Sequence, residues 1–144
     1  MANMPIAVLM QRRSLQHRWA DEAWAAVGVV PDRGNLPALH VLSESPEVDY
    51  YLVSGLELEL YTDDNDGYYE NAEAPQSKVF VLWRMEQGRA MPVRATVSYL
   101  EGTRMFDSGE DADGVPMPAE IHAWLSAYLR EHYQPRVRRG REHG

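Results

Sequence analysis

The chain has 144 residues, of which 44% are hydrophobic and 25% are charged. This composition predicts one globular domain with a hydrophobic core. It contains no Cys, which excludes disulfides, thiol catalysis and cysteine-ligated clusters. The net charge is −8, and because residues 135–144 hold four Arg and one Glu, residues 1–134 carry −11. An acidic body repels phosphate groups and disfavours a nucleic-acid partner.

The same composition bears on the compartment. The apolar runs are too short to span a bilayer, and the first charges follow the first apolar run without a small-residue cleavage site. We therefore expect no membrane partner and predict a cytoplasmic protein. One globular domain is predicted over residues 1–134, followed by a basic, disordered tail over residues 135–144.

The first part of the chain is predicted to form short strands. Residues 5–10 are an apolar run typical of a buried strand, and residues 12–21 form a polar connection. Residues 23–30 fit either one face of a helix or a strand, and the run VGVV before Pro31 favours the strand. Another short strand is predicted over residues 39–42.

Residues 50–60 show the clearest alternation of the sequence. Apolar side chains recur at the even positions, while Glu57 and Glu59 fall on the other face and are expected to face water. Gly55 interrupts the run, and we expect a bend or a bulge there.

A hairpin is predicted next. Residues 78–86 and residues 91–99 both alternate, and Gln87-Gly88 between them is a turn signal. One face of the first strand is expected to carry Val79, Val81, Trp83 and Met85.

A helix closes the predicted domain. It begins near Pro118 and ends before Pro135, and its apolar residues recur at helical spacing. These are Ile121, Trp124, Leu125, Tyr128 and Leu129. The elements together predict an α+β fold: a mainly antiparallel sheet, a curled sheet or a partial barrel, with one C-terminal amphipathic helix packed on it.

Residues 62–73, TDDNDGYYENAE, have the acidic spacing of a calcium loop. Asp64, Asp66 and Glu73 would be ligands, but the first position is Thr62 rather than Asp. A second match over residues 109–120 lacks the same first ligand, as expected by chance in an acidic chain. A polar turn in which Asp63 or Asp64 caps a short helix is therefore the preferred interpretation.

Other chemical signals are absent from the sequence. The five His residues lack tight metal-ligand spacing, and neither a GxSxG elbow nor a Gly-rich phosphate loop occurs. We predict no catalytic residues and no cofactor.

Aromatic residues are the remaining signal. Trp83 and Trp124 lie on apolar faces and are expected in the core. Trp19, Tyr68, Tyr69 and Tyr133 fall in or beside predicted loops, where they would either anchor a protein interface or pack loops against the sheet.

Several segments together resemble a small bacterial family of unknown function. They are PIAVLMQRRSLQHRWADEAW, LELELY, the Tyr68-x-x-Asn71 pair before Pro75 and KVFVLWR, and FDSGEDADGVPMP before the Trp-containing helix. Genes of that family often accompany those of formate dehydrogenase and other molybdenum enzymes. Some members are labelled as similar to molybdopterin-guanine dinucleotide biosynthesis protein A. That chemistry needs a Gly-rich phosphate loop after a strand, whereas the first strand here runs into QRRSLQHRW.

The resemblance, the missing catalytic motifs and the loop aromatics together indicate a non-enzymatic accessory protein that binds a protein partner. The resemblance implies that this partner is a formate-dehydrogenase-type molybdenum enzyme or its assembly factor. The expected partner-binding residues are Trp19, Trp24, Tyr68, Asn71, Ser108, Asp111 and Met117. Asn71 and Ser108 have a structural alternative, which is to bond the backbone of their turns. The rival function is a small-molecule or metal-binding domain, or an enzyme, with a pocket of carboxylates and aromatic side chains.

Overall fold

The structure, a computed structural model, describes residues 2–15 and 21–133. Its strands are β1 Ala2–Ser14, β2 Glu22–Pro31, β3 Leu39–Ser43, β4 Val48–Leu60, β5 Lys78–Glu86, β6 Arg89–Thr96 and β7 Asp111–Pro116. Its helices are α1 Asn65–Ala72, α2 Tyr99–Asp107 and α3 Ala119–His132, with a single 3-10 turn at Thr62–Asp64. No helix in the described ranges combines the length and the apolar content needed to cross a membrane. The predicted tail, residues 135–144, lies outside these ranges.

The strands form two antiparallel sheets. One has the order β2-β1-β4-β3 and the other the order β6-β5-β7. The sheets approach each other where β2 meets β7 and where β4 meets β6, yet the described strands do not close into a barrel. At the first of these junctions, the backbone N–H of Ala26 donates to a carboxylate oxygen of Asp113 at 2.9 Å. The predicted α+β fold with antiparallel sheets is confirmed, and the described residues form one helix, α2, beyond the short helix and the C-terminal helix that were predicted.

Strand β2 pairs with β1 along the whole of β2. Residues 23–30 are a strand, as predicted, because their backbone pairs with β1 from Ile6 to Ser14. The prediction that residues 12–14 begin a polar connection is wrong. Arg12 remains in β1 because its guanidinium pairs across the sheet with Glu22 of β2 and Asp49 of β4.

Strand β4 changes its buried face at a bulge. Leu58 and Leu60 are buried and Glu57 and Glu59 exposed, as predicted, whereas Tyr51 and Val53 replace the predicted even positions before Gly55. The register with β1 shifts between Ile6 and Val8, opposite Gly55, whose φ is +101°. An extra residue in one strand reverses the alternation, so the predicted bulge is confirmed and the single-phase pattern is wrong.

The hairpin of β5 and β6 is confirmed, with its turn at Gln87 and Gly88. The second strand ends at Thr96 instead of residue 99, because Ser98 becomes the N-cap of α2 and accepts a hydrogen bond from Glu101 N. Helix α2 and strand β7 were not predicted. Strand β7 completes the sheet by pairing with β5 from Lys78 to Trp83.

One main core lies between the two sheets. Buried side chains from both meet α1 and α3 there, including Ile6, Val8, Leu58, Val79, Val81, Ile121 and Leu125. A smaller cluster of Phe80, Leu82 and Met105 lies on the opposite face of β5, beneath α2. Strand β5 is therefore covered on both faces, and the predicted core positions Val79, Val81 and Trp83 are confirmed, while Met85 is exposed.

Candidate functional site

A groove with two lobes runs along the connection between α1 and β5. The aromatic lobe, about 630 Å³, lies between this connection and α2 and is lined by Phe80, Tyr99 and Phe106. The methionine lobe, about 670 Å³, lies between the connection and the start of α3 and is lined by Met117 and His122. Gln76 and Lys78 line both lobes. We call the whole surface the two-lobed groove.

The aromatic lobe is built by a close approach of α2 to β5. Gly102 of α2 lies over the ring of Phe80, and a Cβ at this position would come within 2.5 Å of that ring. Tyr99 and Phe106, seven residues apart on α2, contact the buried Phe80 ring edge-on at centroid distances of 6.1 and 6.0 Å. Both remain exposed, at 45% and 51%. The lobe thus has a buried aromatic floor and two exposed aromatic walls.

The methionine lobe is held by main-chain hydrogen bonds. Met117 N donates to Ser77 O at 3.0 Å, which joins the end of β7 to the start of β5. A ring nitrogen of His122 lies 3.0 Å from the carbonyl oxygen of Ala72 at the end of α1. Met117, a predicted partner-binding residue, is half-buried and lines this lobe.

Asn71 fixes the wall between the lobes. Its side-chain amide nitrogen donates to Lys78 O and to Val97 O, each at 2.7 Å, and its amide oxygen accepts from Lys78 N at 3.0 Å. The residue is 1% exposed. Of the two interpretations of Asn71, backbone bonding is therefore the one that the geometry supports, and Asn71 acts on the groove by positioning Lys78.

Tyr68 lies in the interior at 2% exposure. Its hydroxyl accepts a hydrogen bond from Tyr61 N at 2.9 Å, and its ring packs edge-on against Tyr128. Burial raises the pKa of Tyr68 to about 12. In this fold the residue tethers α1 to β4 and α3. Only a small part of its surface is accessible, and it lines a groove between β4 and β6.

A second, acidic groove of about 480 Å³ lies between β4 and β6. Glu57, Glu59 and Asp64 line it together with Arg94 and Glu101, which form an ion pair. Carboxylates and tyrosines therefore do meet on one surface, but in the described ranges no group of three or more acidic or histidine side chains could hold a metal ion.

The segment that resembled a calcium loop is helical. Asp64 occupies the N-cap position of α1 without a side-chain capping bond, and Glu73 occupies the C-cap position. Asp66 accepts a hydrogen bond from the Tyr133 hydroxyl at 2.6 Å. The predicted short helix toward Asn71 is confirmed, but its predicted side-chain cap is not formed. Helical geometry places Asp64 and Asp66 at the start of α1 and Glu73 about two turns away at its end, instead of around one point.

The other predicted residues lie apart from the two-lobed groove. Trp24 is half-buried beside Tyr51, in a small cleft that Arg12 and Arg89 also line. Ser108 ends α2, where its hydroxyl donates to Met105 O at 2.7 Å and so bonds the backbone of its turn. Asp111 is exposed at the start of β7. Trp19 lies outside the described residues.

Four groove residues were missed at the sequence level: Lys78, Phe80, Tyr99 and Phe106. The sequence does carry two signals for them. Ser98-x-x-Glu101 is the spacing of a capping box at the start of α2, and Lys78 is the only Lys in the chain.

The fold and its grooves define an α+β domain of two antiparallel sheets. Residues 5–142 match the family described as "Protein of unknown function (DUF3305)". The chain belongs to this family. No curated protein and no solved structure matches it.

Proposed function

We propose that this chain is a non-enzymatic accessory protein that binds a protein partner through the two-lobed groove. The observation that supports the proposal is the aromatic lobe, where Tyr99 and Phe106 stay about half exposed around the buried ring of Phe80. Exposed aromatic side chains around a concave apolar surface are the usual anchors of protein interfaces.

The proposed partner is a formate-dehydrogenase-type molybdenum enzyme or one of its assembly factors, and the proposed compartment is the cytoplasm. The support for this partner is the resemblance set out above. The net charge of −8 adds support for a protein partner, because an acidic surface repels nucleic acid.

Site-specific crosslinking in the source organism tests the groove. A photoreactive phenylalanine at Phe106 should capture one reproducible partner. The same group at Leu42, which is similarly exposed on β3, is the matched control and should not. Equal capture from both positions, or from neither, would overturn the proposal.

A genetic experiment tests the partner. Loss of the gene should lower formate dehydrogenase activity, and wild-type protein should restore it while the Phe106→Ala variant should not.

A thermal-shift screen with calcium, magnesium, molybdate and guanine nucleotides distinguishes partner binding from the rival function, which is small-molecule or metal binding. Stabilisation at micromolar ligand would contradict a purely partner-binding role, because a ligand of the folded state raises its stability.

A further inference from the structure

Lys78 lies where the two lobes of the groove meet and has no carboxylate partner among the described residues. It is the only Lys of the chain and lines both lobes. Within residues 2–15 and 21–133, five arginines form ion pairs with carboxylates: Arg12, Arg33, Arg84, Arg94 and Arg104. By contrast, no carboxylate of the described chain lies within 4.0 Å of the Lys78 ammonium.

The position of Lys78 is built by its neighbours. Asn71 holds both backbone groups of Lys78 with two hydrogen bonds. The alkyl chain crosses Gly114 of β7, where an added Cβ would come within 3.0 Å of the Lys78 Cδ. Among the lining residues of the two lobes, Lys78 is the only Lys, Arg, Asp or Glu, and His122 lines the methionine lobe.

The charges and the shape of the groove select its occupant. The chain's own residues 134–144 carry four Arg and would bring like charge to Lys78. A second copy would bring another net charge of −8, so self-association is opposed by repulsion between the bodies. The same repulsion opposes a long acidic run on any partner. One carboxylate with apolar neighbours satisfies Lys78 without incurring this repulsion.

We propose that the groove binds a partner segment in which one carboxylate reaches Lys78 and an apolar side chain on each side enters a lobe. This inference rests on the proposed function and specifies the chemistry of the partner. The apolar side chains supply affinity by burial, and the ion pair with Lys78 selects a carboxylate at the central position.

A random heptapeptide display library, selected on the full chain, tests this chemistry. Peptides enriched on wild type should carry Asp or Glu between apolar residues. The Lys78→Met variant should keep the apolar enrichment and lose the carboxylate, and Lys78→Glu should select Lys or Arg instead. Arg130→Met, which removes the same charge from an exposed site on α3, should select the wild-type pattern.

The most enriched peptide is then synthesised in two forms. One carries Glu or Asp at the central position, and the other carries the matching amide, Gln or Asn, at the same position. The amide should bind wild type about tenfold more weakly, a difference of about 1.4 kcal/mol, and should bind Lys78→Met with less than about a twofold difference. Reductive methylation with ¹³C, followed by NMR, gives an independent measurement on the folded protein. Because Lys78 is the only Lys, it gives the single side-chain dimethylamine signal. The chemical shift of this signal should change when the acidic peptide is added.

The outcomes separate the two proposals. Apolar enrichment without a carboxylate, or an amide that binds as tightly as the acid, would overturn the role of Lys78 and leave the groove as a docking site. Enrichment on wild type no greater than on the Phe106→Ala variant would overturn both. A dimer that forms through the groove and is lost with Phe106→Ala would identify a second copy as the occupant, and would also overturn the inference.

Discussion

Asn71 is expected to contribute more to stability than any exposed polar residue of this fold. We predict that Asn71→Asp, which preserves shape, destabilises the folded state strongly at neutral pH. The substitution retains the acceptor for Lys78 N but replaces the amide donor with a carboxylate oxygen facing the carbonyls of Lys78 and Val97. Two attractive contacts then become repulsive in a site that is 1% exposed.

The magnitude follows from the hydrogen bonds that are lost. Each buried polar group left unpaired costs about 1–3 kcal/mol, and two carbonyls lose their donor. We therefore expect Asn71→Asp to lower the free energy of unfolding by about 3–5 kcal/mol at pH 7. Protonation restores one donor and neutralises the carboxyl, so the pKa of the introduced carboxyl is raised in the folded state. The loss should shrink as the pH falls and grow as it rises through that pKa.

Urea unfolding, followed by circular dichroism between pH 4 and 8, measures the effect. Asn35→Asp adds the same charge at an exposed loop position and should change stability by less than about 0.5 kcal/mol. If Asn71→Asp stays within about 1 kcal/mol of wild type at pH 7, or shows no pH dependence beyond that of Asn35→Asp, the hydrogen bonds do not hold the groove wall as argued.

Three further predictions concern the packing and titration of other residues. Gly102→Ala should lower stability by about 1–3 kcal/mol in urea unfolding, because its Cβ would overlap the Phe80 ring and this outweighs the higher helix propensity of Ala. Arg12 lowers the pKa of Asp49 through a hydrogen bond, so Asp49 adds stability above its unfolded pKa, and that stability is lost as the pH falls below it. Asp49→Asn should therefore be least different from wild type in acid. Tyr68 has a pKa of about 12, so Tyr68→Phe should remove one phenol from the last step of a spectrophotometric titration.

Each of these three predictions has a result that would contradict it. Gly28→Ala is the control for the helix substitution, since its Cβ would meet Leu9 at an ordinary 3.6 Å, and equal losses from both would refute the overlap argument. A stability difference between wild type and Asp49→Asn that is unchanged from pH 7 to about pH 2 would contradict the ion pair. Burial also raises the pKa of Tyr51 to about 12, so a late step remains in Tyr68→Phe and its amplitude is the measurement. If that amplitude equals that of wild type, burial does not control the Tyr68 phenol.

The elements that could be predicted are those whose pattern repeats within a few residues. The hairpin strands alternate every two residues, and the apolar residues of α3 recur about every 3.6 residues. Each pattern repeats several times, and packing preserves it. Strand β4 shows the limit. Its second half follows the alternation, but the bulge at Gly55 reverses the first half, and the bulge reflects pairing with β1 as well as the local sequence.

The missed elements depend on partners distant in sequence. The segment DADGVP of β7 has low strand propensity and becomes a strand because β5 offers a free edge and Asp113 bonds Ala26 N and the Trp83 indole. Helix α2 contains a Gly that is unfavourable for a helix in isolation. That Gly is compatible with the fold because it lets α2 lie directly on Phe80.

By itself the sequence determined the α+β class, the antiparallel hairpin, the terminal helix and an acidic chain without cysteine chemistry, because these depend on composition and on local periodicity. The tertiary structure alone decided which polar and aromatic side chains are available to a partner. Burial of Tyr68 and Asn71, and the meeting of Lys78 with Phe80, Tyr99 and Phe106, depend on contacts between distant segments. Tyr68 and Tyr128, for example, are 60 residues apart in the chain. The exposure of these particular side chains is set by those contacts and not by the period of the sequence around them.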